Sequence, residues 1–399
     1  MTDRKPQKTN LRAIVVGGGM GGLAAANALI QKGLDVTVYE QAPELGEVGA
    51  GIFIYPNSLR QMHRMGFEDA LAKVGARVGA GSMYRRMDGS EVGPIVMADS
   101  SGWNGFYGMH RADILEAFAA ALPPGTVKCG HRATGFSQDA NSATVTFENG
   151  HSDTADLIVA ADGLRSVLQP FATEPSEPEY SGFRAYRGLV ERSKLDSWYD
   201  ETHQVWMGDG KHFMVFPVRR GELLNYVGFV PMDIATVESW SAEGDRDELA
   251  ADFACWDPMI GKLLDKVDHC FWWGLNDRRP LKSWSNGRLT LLGDAAHPML
   301  PHLGQGVNQA IEDGVALSML LEGRSSADVP QLLQTYERLR KPRTDMVQTE
   351  ARKNGMRYDS LYDSIEQRDH EIRNIAGLRL SLYDYDVEKE VKEAMAEMA

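Results

Sequence analysis

The chain has 399 residues, 43% hydrophobic and 25% charged, with a formal net charge of −14 and a pI near 5.2. This is the composition of an ordinary globular protein with room for two or more domains, and no basic cluster interleaves with aromatics, which argues against nucleic acid or an anionic membrane as a partner. Cys129, Cys255 and Cys270 form no CxxC and no His/Cys ligand spacing, so neither a disulfide framework nor a metal site is expected.

Residues 1–10 are polar and carry no apolar h-region, and no apolar run approaches a membrane span. A cytoplasmic, reducing location is expected. The next segment, Leu11 to Glu40, reads as a βαβ unit. A β-branched run at Arg12 to Val16 precedes Gly17, Gly19 and Gly22 in a GxGxxG spacing. An alanine-rich helix over Leu23 to Leu29 and a second strand over Val36 to Tyr39 follow, ending in Glu40. In such a unit the first glycine permits a tight turn, the second lets backbone N–H groups approach a pyrophosphate, and the third lets helix and strand pack closely. Glu40 accepts from ribose hydroxyls and repels a 2′-phosphate, which favours FAD or NAD over NADP and leaves those two open.

Two later blocks have the same texture, Asp156 to Ser166 (DLIVAADGLRS) and Gly287 to Asp313 (GRLTLLGDAAHPMLPHLGQGVNQAIED). Each is an apolar run ending in a glycine/aspartate turn, which suits the carboxyl edge of one parallel sheet. A discontinuous nucleotide-binding domain follows. Asp162 and Asp294 stand at these turns, where an aspartate otherwise serves as a cap or turn residue. Asp294 is suited to accept from the ribityl hydroxyls of a flavin.

Glu174 to Glu179 (EPSEPE) reads as a connector, and Tyr180 to Phe271 alternates apolar and polar residues like an antiparallel sheet. Within it, His212, Met214 and Phe216 share one strand face. Helix formers dominate from Ile311 to the tail at Glu388 to Met398. GEVGAGI, at Gly46 to Ile52, lacks the strand and helix of a phosphate loop and reads as a mobile active-site segment.

With GGGMGG and Glu40, GEVGAGI, MHRADIL at Met109 to Leu115, AADGLRS, YSGFRAYRGLV at Tyr180 to Val190, GDAAHPMLPHLGQG, YERLRKPR at Tyr336 to Arg343 and LYDYD at Leu382 to Asp386, the chain resembles the flavoprotein aromatic hydroxylases of the para-hydroxybenzoate hydroxylase fold. Within them it is most similar to the salicylate hydroxylase and 6-hydroxynicotinate 3-monooxygenase branch. The resemblance runs from about Leu11 to Asp386. It implies an α/β fold, a discontinuous Rossmann-like FAD-binding domain with an inserted antiparallel β-sheet substrate domain and a helical C-terminal segment. The implied division is 1–179 (with substrate-domain insertions near 80–105), 180–271, 272–320 and 321–399.

The resemblance also implies site roles. Gly17, Gly19 and Gly22 would hold the FAD pyrophosphate, Glu40 the AMP ribose and Arg111 the ribityl–pyrophosphate side. Arg132 and Ala133 would pass by the adenine. Asp162 would serve FAD and the NADH or NADPH co-substrate, and Asp294 the ribityl chain. Pro301 would lie against the isoalloxazine, with Gly306 and Val307 at its pyrimidine edge. Gln169 stands where the family has an arginine after the DG motif, and Phe53 where the 6-hydroxynicotinate enzymes have a histidine after GAGI. Phe53, Met214 and Phe216 are candidate substrate contacts.

The implied reaction is hydroxylation of a small hydroxylated aromatic or N-heteroaromatic acid through a flavin C4a-hydroperoxide, with NAD(P)H and O₂ consumed and with or without decarboxylation. A base must make the ring electron-rich, and His302, next to Pro301, is expected to face flavin and substrate together. His212 is a second candidate on the strand face over the flavin. Arg184, Tyr186 and Arg187 either bind a substrate carboxylate or, the favoured alternative, pair with acids. His297 and Met299 read as structural parts of the flavin loop, and Trp272 and Trp273 as pocket wall or sheet core. A flavin halogenase, an NAD(P)H oxidase and a non-catalytic interaction domain on the same fold are the alternatives, although no tryptophan-x-tryptophan pair is present. A monomer or a homodimer is expected, with LYDYD and the tail helix as a possible dimer surface.

Overall fold

The computed structural model describes residues 11–46, 50–232, 242–359 and 361–398. Residues 1–10 lie outside that range, as do Glu47, Val48 and Gly49 of the segment expected to be mobile. The nucleotide-binding sheet is assembled from four separate stretches of chain. Its strand order is Ser285–Asn286, Leu289–Leu291, Leu157–Ala160, Arg12–Val16, Asp35–Tyr39 and Val127–Lys128. All neighbours are parallel except the hairpin formed by Ser285–Asn286. The β-branched runs read from sequence are the central strands, buried on both faces as a parallel sheet requires.

The helix expected over Leu23 to Leu29 runs from Met20 to Gln31. It packs on a second buried helix, Gly306–Leu321, which starts beside the Asp294 turn. The two approach closely because Gly314 has no side chain: a Cβ there would lie 2.8 Å from the Ala25 Cα.

The second large sheet has eight strands, in the order Ala242–Glu243, Phe271–Asp277, Glu179–Glu191, Leu223–Pro231, Lys211–Val218, Gln204–Gly208, Met83–Arg86 and Glu91–Pro94. Its pairs are antiparallel except that between Gln204–Gly208 and Met83–Arg86. The segment at 83–94 therefore belongs to this sheet. So does all of Phe271–Asp277, which a boundary at 271 would have split; the chain rejoins the nucleotide sheet only at Ser285. A three-stranded sheet of Gly51–Ile54, Tyr107–His110 and Ala76–Arg77 lies against Phe216 and Pro217 of the large one.

The helical part ends in Val329–Asp359, Ile365–Asn374, Ala376–Tyr383 and Val387–Met398. Val387 and Val391 of the tail are buried in the nucleotide-domain core. LYDYD is engaged within the chain: Tyr383 is buried, Arg343 stacks on Tyr385 at 3.6 Å, and Asp386 pairs with Arg64 at 2.6 Å. Among the described residues no helix is long and apolar enough to cross a membrane.

Candidate active site

The first turn of the βαβ unit explains its glycines sterically. Gly17 has φ +113°, and a Cβ on it would lie 2.2 Å from the Ala161 oxygen; one on Gly22 would lie 2.0 Å from the Gly17 oxygen. Gly19 differs, since nothing lies within 4 Å of its Cβ position. Gly19 also precedes the helix without a side-chain cap, so the first N–H groups of the helix are available to a ligand. At the end of the second strand, Glu40 is held by the Gly18 and Ala42 N–H groups, which donate to its two carboxylate oxygens at 2.6 and 2.8 Å. Backbone bonds from Gly130 to Ala42 and from His131 to Glu40 carry the chain past Glu40 into the strand that begins at Ala133.

Asp162 receives the Val167 N–H at 2.8 Å on one oxygen, while its other oxygen is buried without a partner among the described residues. Burial raises its carboxyl pKa. Nearby, Gln169 donates to the Ala295 carbonyl at 3.2 Å and ties the DG segment to the Asp294 turn. The position that departs from the family pattern is thus a structural link between two site loops.

Asp294 follows Gly293, a residue at φ +62°, and lines the cavity; the protein packed around it raises its pKa against the pull of His297 and Arg111. The turn is held from below by Asp313, which accepts the Gly293 N–H at 3.2 Å and lies 2.6 Å from His297 Nε2. One 3₁₀ turn, Pro301–Leu303, then leads through Gly304 into the helix that starts at Gly306.

These pieces surround one cavity of about 570 Å³. Gly19, Arg111, Asp294, Pro301, Gly306 and Val307 line it from the nucleotide-binding side, and Phe53, Met214, Phe216, Phe229 and Trp273 from the sheet side. Gly17, Gly22, Glu40, Ala133 and Asp162 lie outside this lining. Strand alternation sorts the arginines. Arg184 and Tyr186 face the helix Arg246–Asp252, where Arg184 pairs with Glu248 at 3.1 Å and Tyr186 donates to Glu248 at 3.0 Å. Arg187, on the opposite face, lines the cavity with its guanidinium over Trp273 at 4.9 Å. Asn225 also lines it and was not singled out in the sequence, whereas Trp273 takes the pocket-wall place that the sequence left open beside burial in the sheet core.

The two histidines are not placed as anticipated. Neither His212 nor His302 is among the cavity-lining residues, and they are 0% and 5% exposed. The expectation that His302 faces flavin and substrate is corrected: its ring packs on Gly355, where a Cβ would meet it at 2.6 Å, and its carbonyl accepts from Asn354 at 2.7 Å. His212 does share a strand face with Met214 and Phe216, but it stacks beside its cross-strand partner Phe229 at 4.0 Å, outside the cavity lining. Its Nδ1 lies 2.5 Å from Asp359 Oδ1. Burial drives the His212 pKa well down, takes His302 to about 3 and pushes Asp359 up to about 8. Donor atoms of His212, His302 and Asp359 lie within 4.8 Å of one another, a spacing open to a metal, but the short His212–Asp359 contact is a hydrogen bond.

The residues fit an adenine dinucleotide. Free helix-start N–H groups, open space at Gly19, a buried unpartnered Asp162 oxygen and Asp294 turned into the cavity together offer donors for phosphates and acceptors for hydroxyls.

A family model described as an FAD binding domain matches residues 10–351. A 3-amino-4-hydroxybenzoate 2-monooxygenase of Streptomyces platensis is 35% identical, over 90% of this chain and 90% of its own. A salicylate hydroxylase of Pseudomonas putida is 32% identical, over 99% and 97%. The solved structure of a salicylate hydroxylase substrate complex superposes with a TM-score of 0.83 at 28% identity, over 96% of this chain and 97% of that one. This chain belongs to the FAD-dependent aromatic hydroxylases, and FAD is its cofactor.

Proposed function

We propose that the chain hydroxylates a small hydroxylated aromatic or N-heteroaromatic acid, of the salicylate, hydroxybenzoate or hydroxynicotinate kind, with NADH or NADPH as reductant and O₂ as oxidant. The observation that carries this reading is the composition of one cavity: acceptors and helix-start donors on one side, aromatic and thioether groups on the other, and the Arg187 cation on the aromatic side. Bound FAD supplies the oxygen activation. The chain's own residues bind, orient and exclude water.

In this reading Gly17, Gly19 and Gly22 accommodate the pyrophosphate, Glu40 the ribose, Ala133 the adenine, and Arg111 and Asp162 the central part of the dinucleotide. Asp294 accepts from the ribityl hydroxyls, and Pro301, Gly306 and Val307 border the ring system. Phe53, Met214 and Phe216 pack against the aromatic substrate and keep water from the reacting carbon. Arg187 draws in the acid group as a fork that stays charged at all working pH values. His302 and His212 act as positioning residues, through the Pro301 loop that His302 anchors on the helix Val329–Asp359.

The test is NADH and NADPH oxidation measured with a panel of hydroxybenzoates and hydroxypyridine acids, together with product analysis. Ligand-stimulated oxidation coupled to an oxygenated product is the expected result. Stimulated oxidation without such a product rejects hydroxylation. His302→Ala should lower coupling between oxidation and product while FAD content is kept, and unchanged coupling removes its positioning role.

A further inference from the structure

Asn225 lies in the middle of the strand Leu223–Pro231 and is 0% exposed. On the cavity face of that strand it is followed by Val227 and Phe229, so a carboxamide stands where the alternation calls for an apolar side chain. Its Oδ1 accepts the Gly51 N–H at 2.7 Å. A backbone N–H donates only to oxygen, so this bond fixes the orientation of the amide. Nδ2 is then the atom left over, and it is buried with no hydrogen-bond partner among the described residues.

Gly51 is shaped to this contact. A Cβ there would lie 2.6 Å from Asn225 Cγ and 2.8 Å from Phe216, so only glycine lets the strand Gly51–Ile54 come down on the carboxamide. One half of Asn225 thus holds the strand that carries Phe53, and the residue belongs to the wall of a cavity together with Met214, Phe216, Val227 and Phe229. Arg187 lies diagonally across the strand pair, since Arg187 is opposite Val227 and Leu189 is opposite Asn225. A buried amide donor with no partner is costly unless a ligand completes it.

We propose that Asn225 is a specificity-determining residue of the substrate cavity, whose Nδ2 donates to an acceptor oxygen on the ring ligand. This rests on the aromatic-hydroxylase reading of the cavity and adds a polarity rule to it. Because Oδ1 is committed to Gly51, the residue can only donate toward the cavity. A carboxylate or carboxamide oxygen is accepted at that point, and an amino group in its place is rejected.

Asn225→Asp tests the rule, because it keeps the size and the oxygen that receives Gly51 N–H while exchanging the free donor for an acceptor. Calorimetric binding to the FAD-loaded protein would compare hydroxybenzoates, neutral hydroxybenzamides and aminophenols. We expect affinity for both hydroxybenzoates and hydroxybenzamides to fall about 10- to 100-fold, and affinity for aminophenols to hold or rise, with FAD content unchanged. The neutral amides separate loss of the donor from simple repulsion of an anion. An equal change for all three ligand classes, or no change, overturns the proposal. Loss of FAD with an unaltered ligand ranking also overturns it, since the donor then belongs to the flavin.

The same ligand series on the unaltered protein keeps the rule testable if the variant does not fold: an aminophenol that binds as tightly as its matched hydroxybenzamide overturns it. A protein that binds the panel and hydroxylates it, with Asn225→Asp indifferent, overturns this assignment alone. A protein that binds no ring ligand overturns the proposed function and the assignment with it.

Discussion

His212 and Asp359 are 147 positions apart in the chain, yet they share a fully enclosed 2.5 Å hydrogen bond, one from the antiparallel sheet and the other from the last residue of the helix Val329–Asp359. Burial favours the neutral form of both groups. The Asp359 carboxyl then donates to Nδ1 of an uncharged imidazole, and Nε2 carries the ring proton. The bond ties the sheet that floors the cavity to the helix on which His302 rests.

This pair sets a pH dependence of stability. With its pKa at about 8, against an ordinary value of ~3.9, folded Asp359 keeps a proton that the unfolded chain releases between those values. Its contribution is therefore full below ~4 and is lost as pH rises toward 8. His302 works in the opposite sense: its folded pKa of about 3 lies below the ordinary ~6.5, so stability is lost as pH falls through that window. Asp359→Asn retains a donor for His212 Nδ1 and cannot ionise. Thermal midpoints of the variant should decline less steeply than those of the native protein between pH 6 and 9; parallel slopes would refute the neutral-pair assignment.

Gly355 is the seat of the His302 ring, with the Cβ position 2.6 Å from Cδ2 and 2.7 Å from Nε2. Gly355→Ala gains helix propensity, worth about 1 kcal/mol, but must push the ring and the Pro301 loop aside, at a cost of about 1–3 kcal/mol. The loop lines the cavity at Leu300 and Pro301. Weaker ligand binding is expected with little change in the unfolding midpoint. An unchanged dissociation constant for ring ligands would mean that the loop does not transmit the shift.

Local signals carried the nucleotide half of the site into the sequence. Strand, glycine spacing, helix and acid follow one another within thirty residues, and Gly17 and Gly22 each have a steric reason close by in the fold. What escaped depended on direction or on distance. His302 is adjacent to Pro301, but a 3₁₀ turn sends consecutive side chains to different sides, so adjacency did not put its ring in the cavity. Alternation correctly grouped His212, Met214 and Phe216 on one face, yet the strand runs past the cavity and His212 ends beside Phe229, beyond the lining. Arg184 and Arg187 could be told apart only once the helix Arg246–Asp252 covered one face of their strand. Asn225 did leave a trace, a polar residue in phase with Val227 and Phe229. Asp359 left none, because nothing near it in sequence marks a partner in a distant strand.

Gly19 and Gly22 should separate cofactor binding from stability. At Gly19 a Cβ meets nothing within 4 Å and φ is −74°, so Gly19→Ala fits the folded chain without strain. The methyl group occupies the space through which a pyrophosphate reaches the helix start. The variant should unfold at the native temperature when stripped of FAD and bind FAD at least about 10-fold more weakly, a loss of about 1.4 kcal/mol. Gly22→Ala, with its Cβ 2.0 Å from the Gly17 oxygen, should lose both FAD and stability. Equal behaviour of the two variants in the FAD-free unfolding assay would contradict this division.

The support beneath the Asp294 turn is a buried charge cluster. Arg340 reaches Glu312 at 2.6 Å and Asp313 at 2.8 Å, Arg343 reaches Glu312 at 2.8 Å, and Asn57 donates to Glu312 at 2.6 Å. Burial alone would raise both carboxyl pKa values; Arg343 and Arg340 hold Glu312 below the usual range, and His297 and Arg340 do so for Asp313. Depressed folded values mean that this contribution is present above ~4 and is lost as pH falls below it. Arg340→Met removes the shared cation and leaves two buried carboxylates undercompensated, a loss of about 3–5 kcal/mol. Since Asp313 also holds the Gly293 N–H and His297, the FAD dissociation constant should rise in step with the loss of stability. Adding Asp313→Asn to Arg340→Met removes one of those uncompensated charges and should recover part of the unfolding midpoint at pH 8, while leaving FAD binding weak because the Asp294 turn remains poorly held. A double variant less stable than Arg340→Met alone would show that the carboxylate is balanced by His297 and that the arginine is not its principal partner.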